Sequence, residues 1–369
     1  MSIFKNPKYA VIGAGCGGQA LAGYLAMQNF DVALYNRSYG RIAPIMEKNY
    51  IELTSVLKGR GKMSNISTEI STVLKDRDIV MIVTTATGHR EIGKKIAPYL
   101  KDGQIILLNP GRTFGAVEVE HAIRESGCLS DIIVAEANTL LFTTRIKTPG
   151  VTIIKGIKKE VTVAALRKSD TDYALEQLRP AFPQFKAAGT ILETSFSNIG
   201  ALFHPVITLF NRDKIYNKEG FDFYIDGVTQ EVADYIEKVD NEVQQVAKAL
   251  GTIPLSVKKW LHSRYGINYS DLFTMIRSNS VYKGIKSADT LNHRYLWEDI
   301  PTGLVPVSTF GKALNVDTSA IDGLIDRGCE MLDTNFWDTG RTPEKLGFCP
   351  QNLKKSLYEM INNERVKAA

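Results

Sequence analysis

Tyr9-Ala-Val-Ile-Gly-Ala-Gly-Cys-Gly-Gly18 is the stretch that decides the fold of this 369-residue chain. Tyr9 to Ile12 is a short apolar strand, and Gln19 to Gln28 reads as a helix. Between them lies G-x-G-x-x-G with a strand before it and a helix after it, the context that gives the pattern its meaning. Gly13 permits the tight turn, Gly15 lets backbone approach a pyrophosphate, and Gly18 lets the helix pack close to the strand. The pyrophosphate would meet a helix N-terminus, where free amides and the helix dipole favour negative charge. A glycine-rich turn without a cofactor is the plainer alternative. The opening of a βαβ unit at this point speaks against it.

Working outward, the next strand, Asp31-Val-Ala-Leu-Tyr-Asn36, carries a second message. A carboxylate at its end would bind the adenine ribose of NAD. This chain has Asn36-Arg37-Ser38 there, and Arg37 can pair with a 2′-phosphate with help from Ser38 and Arg41. The expected cofactor is NADP, with NAD as the alternative. The plainer reading of Arg37 is a solvated residue at a helix start.

Further along, Ile51 to Leu57 and Lys62 to Ile66 flank Lys58-Gly-Arg-Gly61 and predict a hairpin. Asp78 to Thr85 is a continuous apolar run that predicts a buried parallel strand. A helix over 87–100 follows, capped by Thr87; His89 is expected as a first-turn surface residue, with a place near the cofactor as the alternative. Gln104 to Asn109 and Asp131 to Glu136 predict two more strands. Ligands in open α/β sheets bind beyond the carboxyl ends of strands, so Asn109, Gly111 and Arg112 are candidates to face cofactor or substrate. Glu136 is a candidate to hold a substrate ammonium or guanidinium, balanced by a structural reading in which it caps a loop. Val151 to Ile154 and Val161 to Leu166 predict further strands, and Asp172 to Leu178 a helix ended by Pro180 and Pro183.

Phe185 to Leu192 leads into the stretch from Thr194, and from Ser195 on the pattern is helical almost throughout. The expected division is a dinucleotide-binding domain over 1–187 and a helical substrate and catalytic domain over 188–369. Val228, Val232, Tyr235, Ile236, Val239, Val243, Val246 and Leu250 recur at helical spacing, and Gly251 and Pro254 stop the run. Ser256 and Ser270 read as N-caps of shorter helices. A helical domain packed on a dinucleotide fold is expected to place the substrate cleft where the two meet. Within the helical half, Thr194 to Asn211 is mostly apolar and carries His204 followed by Pro205. Proline crowds the carbonyl of Ala201 and donates no hydrogen bond, so a kink is expected beside the histidine. A titratable ring at such a kink suits acid–base chemistry; a core histidine in a bent helix is the bland alternative. Arg294 and Asp299 bring opposite charges into an aromatic, proline-rich stretch, and buried charges need partners. A surface ion pair is the simple reading, and Asp299 paired with His204 the sharper one.

Bulk properties set the bounds. The length suggests about two domains. Hydrophobic residues make up 44% and charged residues 23%, enough apolar material for a substantial core. No apolar run reaches the ~18 residues of a spanning helix, and Met1 to Lys8 lacks a signal core, so a cytoplasmic location is expected. Four scattered cysteines have neither metal-ligand nor redox spacing. The mild net charge of +5 suits anionic small substrates, and no basic stripe with interleaved aromatics points to nucleic acid. A homodimer through the helical half is compatible with the sequence, and nothing in the sequence demands one.

Taken together, Gly13-x-Gly15-x-x-Gly18, Asn109-Pro-Gly-Arg112, Glu136-Ala-Asn-Thr139, Ser197-Asn198 with His204-Pro205, and Arg294-Tyr with Glu298-Asp-Ile-Pro-Thr-Gly303 resemble the opine dehydrogenase family of the octopine/nopaline type. They stand in the family's order and span nearly the whole chain. The resemblance implies an α/β Rossmann-type domain followed by an all-α opine-dehydrogenase-type domain. It implies NAD(P)H-dependent reductive condensation of an amino acid with a 2-oxo acid such as pyruvate. It also implies a His-Asp catalytic pair at His204 and Asp299, with Arg294 near it. A histidine can supply and remove protons near neutral pH, and a carboxylate on its far nitrogen fixes the tautomer. Arg294 is the candidate to grip a substrate carboxylate, Asn198 the candidate polar orienting group, and Gly200 a candidate to leave room for the nicotinamide ring. Asn36-Arg37-Ser38 departs from the acidic residue that several family members carry, which puts the usual NAD preference in doubt. The nearest competing reading is another two-domain reductase of ketopantoate or glycerol-phosphate type. Those use a lysine near the start of the helical domain, and no lysine lies between Ala188 and Asn211. A non-catalytic NADP-binding sensor is the reading from a different class.

Overall fold

The computed structural model of the chain describes residues 4–363. These divide into two compact units, one reaching to Ser195 and taking back the chain from Leu357, the other Phe196–Ser356. The first unit carries twelve strands: β1 (Tyr9–Ile12), β2 (Val32–Tyr35), β3 (Tyr50–Ser55), β4 (Gly59–Lys62), β5 (Asn65–Ser67), β6 (Ile79–Ile82), β7 (Ile105–Leu108), β8 (Ile133–Ala137), β9 (Phe142–Thr148), β10 (Val151–Ile157), β11 (Val161–Ala165) and β12 (Phe185–Ala187). Eight of them form one sheet in the order β12-β11-β8-β7-β6-β1-β2-β5. All its pairings are parallel except β11 against β8. The central strands β1, β2, β6 and β7 are buried at every position, which is why they read as unbroken apolar runs instead of alternating ones.

The remaining four strands make a second sheet in the order β4-β3-β10-β9. The expected hairpin is present, with β3 and β4 antiparallel. Its turn comes earlier than expected, because Gly59 to Gly61 belong to β4. The reason is a close approach: Gly61 lies on the Gly23 carbonyl of the helix Cys16–Met27, where no Cβ would fit. The hairpin ends at Lys62, which pairs with Tyr50; Asn65–Ser67 pairs with β2 in the large sheet.

Smaller expectations also shift. The helix foreseen over 87–100 is His89–Ile96 between two 3-10 turns, and the Thr87 hydroxyl bonds Thr85 Oγ1 at 3.3 Å instead of capping it. His89 is not on the surface: it is fully buried, with its Nδ1 near Gly115. The cap expected at Ser270 is made by Asp271, whose carboxylate accepts Thr274 N–H at 2.7 Å; Ser256 does cap its helix.

The first compact unit runs to Ser195 and the second starts at Phe196. The helix Ile191–Phe196 carries Thr194 and Ser195, whose hydroxyls bond Glu136 on β8. Those two bonds tie it to the sheet. The second unit is helical. Its longest helix, Gln230–Ala249, buries Val232, Ile236, Val239, Val243 and Val246, the stripe read from the sequence. The helix Ile199–Phe210 runs through Pro205 without ending there.

Candidate active site

In the first unit the site begins at the carboxyl end of β1. Gly13 N–H donates to Tyr35 O at 2.8 Å, which joins the glycine loop to the end of β2. A Cβ on Gly18 would overlap the Gly13 carbonyl, so the helix can approach the strand this closely only with glycine. Gly15 faces open space and caps the helix without a side-chain bond, and no acidic residue occupies the first turn. Uncapped amides with open space before them suit a pyrophosphate. The loop therefore fits a dinucleotide on its own geometry.

At the end of β2, Asn36 does something the sequence reading did not assign to it. Its Oδ1 accepts Ala14 N–H at 3.0 Å and its Nδ2 donates to Ser38 O at 3.0 Å. Asn36 thus splints the glycine loop to the following turn. Arg37 projects outward, with 75% of its side chain exposed, and meets Glu91 at 3.4 Å. An exposed pair of that length holds weakly, so the guanidinium can turn to a stronger anion. Ser38 is also exposed.

Asn109 follows β7 and is buried, its Nδ2 donating to Leu107 O at 3.1 Å. Glu136 requires a correction. It is fully buried, Oε1 lies 2.8 Å from Thr194 Oγ1 and 2.9 Å from Ser195 Oγ, and Oε2 accepts Ala116 N–H at 2.9 Å. Gly111 packs directly on its carboxylate. Glu136 is a structural hub at the carboxyl end of β8, an interior strand, and is not placed to hold a substrate cation.

In the second unit, His204 and Asp299 meet. His204 Nδ1 lies 2.6 Å from Asp299 Oδ2, the aspartate fully buried and the histidine side chain 17% exposed. Asp299 stands just before a π-helical turn, Ile300–Leu304, that leads into the helix Val305–Ala313. Gly303 of that turn lies on Ala201 and Asn198, where a Cβ would collide with Ala201. The Thr-Gly of the Glu-Asp-Ile-Pro-Thr-Gly stretch is thus what brings the turn against the histidine helix. Asn198 is buried at the start of that helix beside Gly303.

Arg294 does not pair with Asp299. Its Nε and Nη2 both reach Glu298 Oε2, at 2.9 and 2.6 Å, one helical turn on. Burial works against its charge, but Glu298 and Asp299 more than offset this and hold the guanidinium pKa above the usual arginine value. Sequence reasoning missed Glu298 as that partner, although the i,i+4 spacing was a signal. It also missed the aromatic wall. Tyr295 stacks on the His204 ring with centroids 4.1 Å apart, and the Tyr224 hydroxyl lies 3.4 Å from His204 Nε2. His293 packs edge-on to Tyr295, and burial, Arg294 and His204 together push its pKa down.

Comparison with known proteins settles the family. Residues 187–332 match the model of the NAD/NADP octopine/nopaline dehydrogenase alpha-helical domain, and residues 9–166 that of ketopantoate reductase PanE/ApbA. The chain is 36% identical to the opine dehydrogenase of Arthrobacter sp. (strain 1C) over 346 residues, covering 94% of this chain and 96% of the relative. The chain belongs to the opine dehydrogenase family. As a member it is an NAD(P)-dependent oxidoreductase acting on CH–NH groups. The fold agrees. Octopine dehydrogenase solved with NADH and L-arginine superposes with a TM-score of 0.81 at 20% identity, covering 99% of this chain and 100% of that one. Yersinopine dehydrogenase bound to NADP+ does so with a TM-score of 0.75 at 14% identity, covering 96% and 98%. The ketopantoate-type reading thus describes the dinucleotide-binding half of this opine dehydrogenase family member, while its helical half is of the octopine/nopaline kind. No helix among the described residues is long and apolar enough to cross a membrane.

Proposed function

We propose that this enzyme condenses an amino acid with a 2-oxo acid such as pyruvate, prefers NADPH to NADH, and uses His204 as its acid–base group with Asp299 behind it. The observation that carries this is the 2.6 Å contact between His204 Nδ1 and a fully buried Asp299 carboxylate. A carboxylate only accepts, so the neutral ring carries its hydrogen on Nδ1 and leaves Nε2 as the base. Nε2 takes a proton as the amine attacks the keto carbon, and Asp299 stabilises the resulting imidazolium. The imidazolium then returns a proton as water leaves. Bound nicotinamide supplies the hydride that reduces the imine. Arg294 is the proposed grip for a substrate carboxylate: its contacts to Glu298 use Nε and one hydrogen of Nη2, and Nη1 and the second Nη2 hydrogen remain to donate. Asn198 is the proposed orienting group at the helix start.

The test is loss of reduced-cofactor absorbance with pyruvate and pools of amino acids, NADPH and NADH in separate runs. Oxidation that requires both pyruvate and one pool is the expected result. Oxidation with a keto acid alone would make this a hydroxy-acid dehydrogenase. The Arg37 assignment has its own check. Arg37→Ala is expected to raise the KM for NADPH about tenfold, the worth of one charge-assisted contact, and to leave the KM for NADH nearly unchanged. Equal effects on both cofactors would remove Arg37 from 2′-phosphate recognition.

A further inference from the structure

We infer that Tyr224 is a positioning residue for His204: its hydroxyl donates to Nε2, the ring nitrogen that Asp299 leaves open, and holds that nitrogen as the acceptor. The inference rests on the acid–base role proposed for His204. Tyr224 lies in the segment between the histidine helix and the helix Gln230–Ala249, and its hydroxyl is 3.4 Å from Nε2. That is long for such a bond, as acid–base contacts often are before substrate binds. With Asp299 on Nδ1 and Tyr224 on Nε2, both nitrogens have partners, and the two together define the ring's rotation and its tautomer.

The tyrosine is itself built in. Its ring stacks on Tyr282 with centroids 4.2 Å apart and meets Phe203 and Phe223 edge-on. The segment that carries it is clipped to a second one: Phe223 N–H donates to Ile285 O at 2.7 Å, Asp222 pairs with Lys286 at 2.7 Å, and Asp222 accepts Gly284 N–H at 3.0 Å. Arg277 adds a bond to Ile225 O at 2.8 Å. Burial, then nearby Tyr295, Tyr265 and Asp299, push the phenol pKa up, so the hydroxyl keeps its proton.

The hydroxyl serves both states of the ring: it donates to neutral Nε2 and, turned about its C–O bond, accepts the Nε2 hydrogen of the imidazolium. The second bond is charge-assisted and the stronger of the two, so the phenol favours the charged ring. The other groups facing the imidazole are Asp299, His293, Arg294 with its partner Glu298, and Tyr295. Tyr282 and Tyr265 stand behind Tyr224. On the neighbouring helices, Tyr235 and Arg327 meet the same helix at Phe210, its far end. Tyr224→Phe keeps the ring stack and changes none of these.

The experiment is a histidine NMR titration of the full chain without substrate, comparing wild type with Tyr224→Phe; His204→Asn identifies the His204 signal among the five histidines. The His204 midpoint is expected to fall by roughly half to one pH unit in Tyr224→Phe, the equivalent of one ordinary hydrogen bond. The acid limb of kcat/KM should fall with it. A midpoint unchanged within about 0.2 unit overturns the inference. The wild-type spectrum is an independent check. The neutral ring should carry its hydrogen on Nδ1, and a hydrogen found on Nε2 overturns the inference without any variant. Because the titration needs no turnover, its failure is separate from failure of the proposed reaction, which is read from the loss of activity in His204→Asn.

Discussion

His204→Asn and Asp299→Asn are each expected to lower kcat by about 10²- to 10⁴-fold, the range that positioned acid–base catalysis supplies. His204→Asn removes the group that takes and returns protons. Asp299→Asn acts through the same ring. The amide that replaces the carboxylate can donate as well as accept, so the hydrogen is no longer held on Nδ1 and Nε2 is no longer the obligatory base. The contact being altered is short, 2.6 Å, and the aspartate is fully buried, so solvent cannot substitute for it. Groups that act as a unit are non-additive. The double variant is therefore expected to be little slower than the worse single one. Cofactor affinity, which we assign to the glycine loop of the first unit, should stay within about twofold. The measurement is kcat and KM for all four proteins with saturating cofactor, together with cofactor Kd by fluorescence. Either single variant retaining more than about a third of wild-type kcat would take the pair out of the chemistry. Multiplicative losses in the double variant would mean that the two residues act separately.

Glu136→Ala is expected to destabilise the protein by about 3 kcal/mol or more, with the amino-acid KM of the surviving folded enzyme nearly unchanged. Two hydroxyls, Thr194 and Ser195, and the Ala116 amide converge on this carboxylate. Ser195 Oγ in turn accepts the Phe114 N–H at 3.1 Å, where Phe114 holds a left-handed φ of 59°. Deleting the carboxylate leaves several buried polar groups without their partner, at about 1–3 kcal/mol each. In a protein of this size that is a fall in melting temperature on the order of 6–12 °C. Glu136→Gln, which keeps the shape and half the acceptors, should lose less. Thermal unfolding paired with steady-state kinetics decides the matter. An unchanged melting temperature with a raised amino-acid KM would return Glu136 to the substrate-binding role that its position at the carboxyl end of β8 first suggested.

Why that first suggestion failed is instructive. Glu136 sits where ligand-binding residues of an α/β sheet sit, and the rule about strand ends says nothing about what else arrives there. Ser195 does arrive, 59 residues later in the chain. The first compact unit runs as far as this serine. His89 failed for a related reason: a first-turn position on a surface helix is normally wet, but the neighbouring helix Gly115–Glu125 covers it, starting from Gly115.

Local sequence alone determined the strand-loop-helix at Gly13 to Gly18, the buried parallel strands and the long helix of the second unit. Each follows from periodicity or from glycine spacing within a few residues, and short-range sterics and burial enforce them wherever the rest of the chain goes. Sequence motifs also singled out His204, Asp299 and Arg294 as one constellation. What only the tertiary structure decided was who touches whom. Asp299 reaches His204 across 95 positions and Tyr224 reaches it across 20. Arg294 takes Glu298 instead of Asp299, and Glu136 is taken out of solvent altogether. Such pairings come from the packing of one helix or strand on another, down to a glycine at 303 that lets a turn close on Ala201. Residue type and spacing along the chain carry no record of that packing.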